Sequence, residues 1–247
     1  MGINCLNSDG LANQLMPVSL SMEQATSLIV KQANQLVNKL IEDRGHDKPP
    51  FLAAEFARLQ GIKKIVKEDL GEESAVLLRF HDGPMIKLNQ KHNLARQNFS
   101  CAHEIGHNLL RELKIELNTE NIEYRGFNPQ AQGIERARDR ERLCDAAATE
   151  LLMPELVFRR YLSDFSVSIN SIERLANIFK VSFQTVAIRI AEVSVEPCLA
   201  LLWKPWPRNK PKGLRFSVPR RNSRGKVNYM PVHTLVRYPS QLHKAYE

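Results

Sequence analysis

The run His103-Glu104-Ile105-Gly106-His107 has the form H-E-x-x-H inside a helical pattern. Four residues make little more than one helical turn, so the two imidazoles stand one above the other and can bind a single metal ion. Glu104, one residue round the helix, flanks that ion and can take a proton from its bound water. With 7 histidines in 247 residues, random order would give on the order of 0.015 such runs, so chance does not account for it. Neutral imidazole and carboxylate donors suit zinc, and manganese or iron would accept the same set.

A catalytic zinc site needs a third protein ligand and an open fourth position. The next long helical pattern offers Glu141-Arg142-Leu143-Cys144-Asp145. Leu143, Ala146, Ala147, Leu151 and Leu152 turn that helix inward, and Glu141 and Asp145, four apart, share a face. Glu141 can ligate while Asp145 accepts the free ring N–H of a ligating histidine, the contact that sets its tautomer. An E-x-x-x-D spacing after H-E-x-x-H is the pattern of the gluzincin metallopeptidases. Asp145, Cys144, Glu150, His81 and His92 compete with Glu141 for the third position. Cys144 reads as a buried packing cysteine, and His81 as a solvent-facing residue beside an Asp82-Gly83 turn.

These residues need elements to hold them. Ser21 and Gln24 stand at capping-box spacing ahead of a helix that Gly45 stops, with apolar residues at helical period from Ala25 to Ile41. Phe51 to Gln60 reads as a second, short helix. Strand patterns follow at about 62 to 67, 74 to 80 and 84 to 89, the last two joined by the Asp82-Gly83 turn. Helices are expected from about Asn93 to Leu113 and from about Gly133 to Met153, then three shorter ones over 155 to 193. Helix, small sheet, helices, then strands in a Pro-rich tail make an α+β class rather than a parallel βαβ fold.

Two stretches, MIKLNQKHNLARQNFSCAHEIGH (Met85 to His107) and ERLCDAAATELLMP (Glu141 to Pro154), resemble the ImmA/IrrE family of metallo-endopeptidases. In that family a strand ending in Asn leads through an Arg and an aromatic into H-E-x-G-H, followed by E-x-x-x-N/D and L-L-M-P. The upstream helix and PPFLAAEFARLQGIKK are similar too, so the resemblance covers about 21 to 193. It implies a zincin-like catalytic domain with His103, His107 and Glu141 as metal ligands and Glu104 as general base. It also implies that the substrates are helix-turn-helix transcriptional repressors, whose cleavage releases stress, phage or mobile-element genes. Asp145 stands where the family often has Asn.

Farther on, SIERLANIFKVSFQTVAIRIAEV (Ser171 to Val193) is similar to a helix-turn-helix, with Ala176 in its first helix and Ser182 opening the second. Phe183, Gln184, Thr185 and Arg189 would give DNA only modest polar coverage, so these helices are expected to support the catalytic core. The formal charge of +8 is concentrated at the end of the chain, where Leu199 onward carries 11 Lys and Arg against Glu247 alone. Arg220, Arg221 and Arg224, with Trp203, Trp206, Phe216 and Tyr229 nearby, make this tail a candidate surface for nucleic acid or a protein partner.

No apolar run approaches the ~20 residues of a membrane helix, and the four cysteines form no CxxC, so a reducing cytoplasm and no membrane partner are expected. The division expected is a catalytic domain over 1–154, a helix-turn-helix-like unit over 155–195 and a basic region over 196–247. The leading function is a zinc endopeptidase. A DNA-binding regulator with a structural or sensing metal is the alternative. Tyr124, Tyr161 and Arg96 are candidates for stabilising the oxyanion, and the strand ending near Asn89 is a candidate edge for a substrate backbone.

Overall fold

The computed structural model describes residues 18–117, 129–166, 168–194, 216–221 and 227–232, with the side chains of 18–19, 115–117, 129–136 and both C-terminal segments outside that description. Helix α1 (Met22–Arg44) opens on the expected capping box, Ser21 accepting from the Gln24 N–H while the Gln24 side chain accepts from Ser21 N–H. Gly45 ends it in the left-handed region at φ 70°, a conformation that costs glycine nothing. Ala25, Ile29, Ala33, Val37 and Leu40 form its buried stripe at helical period. Arg44 then pairs with Glu55 and donates to the Pro50 carbonyl, fastening helix α2 (Ala53–Leu59) beside it.

Three strands follow: β2 (Lys64–Glu68), β3 (Ala75–Phe80) and β4 (Gly83–Asn89), after a short β1 (Val18–Leu20) that precedes α1. The sheet order is β2-β4-β3, with β2 parallel to β4 and β3 antiparallel to it. Phe80 pairs with Gly83, so His81 and Asp82 make the two-residue turn, one position earlier than the Asp82-Gly83 reading. The strand ending at Asn89 is therefore central and paired on both sides. Its expected role as the edge for a substrate backbone is corrected here: the outer strands are β2 and β3.

Asn89 is fully buried, donating to the carbonyls of Gly71 and Glu73 and accepting from the Lys91 N–H, so it ties the β2–β3 loop to the start of the next helix. That helix, α3 (Leu94–Glu112), is capped by Asn93, which accepts from the Arg96 N–H. Strand β5 (Ile115–Leu117) runs parallel to β1. Helix α4 (Pro129–Leu152) begins four residues before the expected Gly133. It packs along α3 and α1, its Leu143, Cys144, Ala147, Ala148, Leu151 and Leu152 sharing one core with Cys101, Ala102, Ile105 and Leu109 of α3.

Helices α5 (Glu155–Ser163), α6 (Ile169–Phe179) and α7 (Phe183–Val193) are the three expected after Pro154. Lys180 adopts the left-handed region at φ 55°, and Ser182 caps α7 by accepting from the Thr185 N–H. Strands β6 (Phe216–Arg221) and β7 (Val227–Val232) form an antiparallel hairpin. The architecture is α+β and zincin-like, helices with a small mixed sheet. No helix among the described residues is long and apolar enough to cross a membrane.

Candidate metal centre

Helix α3 buries one face against α4, and the edge of that face carries His103 and His107, their rings 4.9 Å apart and nearly perpendicular. Helix α4 brings Glu141 opposite both. Its Oε2 lies 3.0 Å from His103 Nε2 and its Oε1 3.5 Å from His107 Nε2. On the other side of the first ring, His103 Nδ1–H donates to Asp145 Oδ1 at 2.9 Å. Burial pulls the His103 imidazolium down, but the hydrogen bond and charge of Asp145, with Glu141 and Glu104, outweigh it and leave its pKa raised. His107 goes the other way: burial and the neighbouring His103 charge depress it against the pull of Glu141.

The donor set fits a divalent cation. Two imidazole Nε2 atoms face one carboxylate, and Asp145 already holds the Nδ1 proton that a ligating neutral His103 must keep. The His103, His107 and Cys144 donor atoms also lie within 4.8 Å of one another, with Cys144 Sγ 3.2 Å from His107 Nδ1. Burial first, then Glu141 and Asp145, pushes the Cys144 thiol up, and burial pushes Cys101 up to about 12. Both therefore stand as neutral thiols.

Beside these residues opens a cleft of about 530 Å³, lined by His103, Glu104, His107 and Glu141, by Glu72, Glu73 and Ser74 from the β2–β3 loop and by Ala75 at the start of β3. Arg96, Phe99 and Ser100 of α3 complete its lining. Burial raises the Glu104 carboxyl, His103 and the Leu77 backbone N–H lower it, Glu141 and Glu73 raise it again, and the net result is upward. A carboxylate raised in this way is the stronger proton acceptor. Ala75, the first residue of β3, lines the cleft, so this outer strand reaches it at its start.

The sequence model of the IrrE N-terminal-like domain, a peptidase domain, matches residues 60–191, more than half of the chain. This chain belongs to the IrrE N-terminal-like peptidase family. No curated protein matches it. Among solved structures it is similar to a Mycobacterium tuberculosis transcriptional regulator, at 17% identity and a TM-score of 0.44, covering 86% of this chain and 61% of that one. The chain thus spans about three-fifths of that regulator's length.

In this IrrE-like chain His103, Glu104, His107, Glu141 and Asp145 meet at one place, although the two helices that carry them are far apart in sequence. The competitors disperse. Glu150 is buried, bound to Arg189 and accepting from the Glu155 N–H. His81 sits in the β3–β4 turn, and neither it nor His92 lines the cleft. Tyr161 packs edge-on against Phe179, 5.6 Å between centroids, whereas Arg96 does line the cleft and donates to Ser74 Oγ. Tyr124, Trp203, Trp206 and Arg224 lie outside the described residues, as do the side chains of Arg220 and Arg221 on β6. The sequence reading missed the Glu72-Glu73-Ser74 loop as a wall of the cleft; the signal was Asn89, whose amide holds that loop. It also missed the contact of Cys144 with His107.

Gly106 explains why α3 and α4 can come so close. A Cβ there would stand 2.9 Å from Cys144 Cα and 3.0 Å from its carbonyl oxygen. Both are backbone atoms, which cannot swing away. Alanine normally gains about 1 kcal/mol over glycine in a helix, but overpacking of this kind costs about 1–3 kcal/mol. Gly106→Ala is expected to be less stable in urea unfolding and to bind metal more weakly; an increase in stability would mean that the helices part easily.

Proposed function

We propose that this IrrE-like chain is a zinc-dependent endopeptidase that cuts a helix-turn-helix transcriptional repressor and so releases the genes it silences. The observation that carries the peptidase reading is the convergence of two Nε2 atoms on the Glu141 carboxylate, with Glu104 facing the same cleft. The repressor follows from the resemblance of H-E-I-G-H and E-R-L-C-D to the ImmA/IrrE peptidases.

His103, His107 and Glu141 would hold the metal. When bound, zinc supplies Lewis acidity to a carbonyl and to a water molecule. The chain's own residues do the rest. Glu104 takes a proton from water at its carboxylate and passes it to the leaving amine. Asp145 keeps His103 in the tautomer that leaves Nε2 free. The outer edge of β3, which enters the cleft at Ala75, would offer main-chain groups to an extended substrate, and Arg96, a cation of the cleft lining, would serve a developing oxyanion.

Metal analysis of purified single variants tests the ligand set. His103→Ala, His107→Ala and Glu141→Ala are each expected to lose stoichiometric zinc, while Asp145→Ala should bind it about 10- to 100-fold more weakly. Full occupancy in Glu141→Ala with loss in Asp145→Ala would reverse the roles given to these two carboxylates. A cleavage assay with a helix-turn-helix repressor then tests the substrate.

A further inference from the structure

We propose that Cys144 is the positioning residue of His107, holding its ring as Asp145 holds that of His103. The inference rests on the metal-centre reading above. Consecutive residues of α4 contact the two histidines on the ring nitrogen that does not face Glu141: Asp145 Oδ1 at 2.9 Å from His103 Nδ1, and Cys144 Sγ at 3.2 Å from His107 Nδ1. Both Nε2 atoms face Glu141 instead. Cys144 meets the ring on the Nδ1 side, away from the Nε2 atoms that converge on Glu141.

The chemistry of the pair follows from the tautomer. A neutral imidazole that binds metal through Nε2 carries its proton on Nδ1, and that N–H needs an acceptor on the protein side. Cys144 is fully buried, so its sulfur is shielded from water and free to accept. Gly106 fixes its height: with no Cβ on Gly106, the α4 backbone at Cys144 lies against α3 one residue before His107. Sulfur is a weak, polarisable acceptor beside the carboxylate that serves His103, so the two imidazoles are unequal ligands.

The test uses the full chain and zinc, in competition with a chelator. Cys144→Ala is expected to bind zinc about 10- to 100-fold more weakly, and Cys144→Ser, which restores an acceptor, to recover most of that loss. In nitrogen-correlated NMR of the zinc-loaded protein, the His107 Nδ1 resonance should shift in Cys144→Ser and that of His103 should stay. This second measurement stands even if the alanine variant folds poorly. An unchanged affinity in folded Cys144→Ala, or an unmoved His107 resonance, would overturn the proposal. So would a thiolate-to-cobalt charge-transfer band in the cobalt-loaded protein that Cys144→Ala abolishes, since Cys144 would then be a ligand. Failure of the centre itself looks different: His103→Ala would then hold zinc as tightly as the unaltered chain.

Discussion

Glu104→Gln is expected to keep its fold and its zinc and to cut its substrate about 10²- to 10⁴-fold more slowly, the usual loss when a general base is removed. The amide has the shape of the carboxylate and keeps an oxygen acceptor in its place. What disappears is the ability to take a proton. Burial already presses on the charged form of this group, so the neutral amide should cost no stability. His103→Ala is the informative companion, because there metal and activity should vanish together. A Glu104→Gln chain that still released its silenced genes in cells would show that cutting is not the task, and a DNA-binding regulator with a structural or sensing metal would take its place.

The second large effect is expected at residues that do not line the cleft. Arg189 is buried on α7, where it pairs with Glu150 of α4, donates to the Met153 carbonyl through Nε and Nη2, and lies 3.5 Å from Glu192. Arg189→Ala leaves the Glu150 carboxylate buried without its cation, a loss that typically amounts to about 3–5 kcal/mol. Urea unfolding should show it. The paired replacement Arg189→Met with Glu150→Leu should regain much of the difference, because two apolar groups strand no charge. If Arg189→Ala unfolds at the same urea concentration as the parent, α7 is not fastened through this pair. The side chain that the helix-turn-helix reading offered to DNA is the one that joins α7 to the end of α4, and α7 exposes Phe183 and Gln184 instead.

Local spacing made much of the centre legible in the sequence. H-E-x-x-H and E-x-x-x-D each lie within about one helical turn, so backbone geometry alone places their side chains on shared faces. The Ser21 cap and the helix start at Ser182 were readable for the same reason, since each side chain acts on a residue three positions on. The pairing of distant strands was not. Nothing in Lys64 to Glu68 announces that it pairs in parallel with Met85 to Asn89, so the central strand was taken for an edge. The pairing of β1 with β5 involves three residues on each side, too few to show an alternation. Cys144 looked like packing because its contact with His107 needs the close approach that Gly106 permits.

Under the proposed peptidase reading, the position of β3 at the outside of its sheet bears on which proteins the chain would attack. A strand laid along that rim must bring main-chain N–H and C=O groups not already engaged at home. If the target is a helix-turn-helix protein, as proposed, its folded part has spent these groups internally, and the stretch open to such pairing would be a linker or a segment that has come loose. Selection would then act through the steadiness of the target as well as through its side chains. A target weakened by heat, by damage or by loss of its operator would be destroyed faster with no change in the peptidase, and the signal for release could be sensed by the victim.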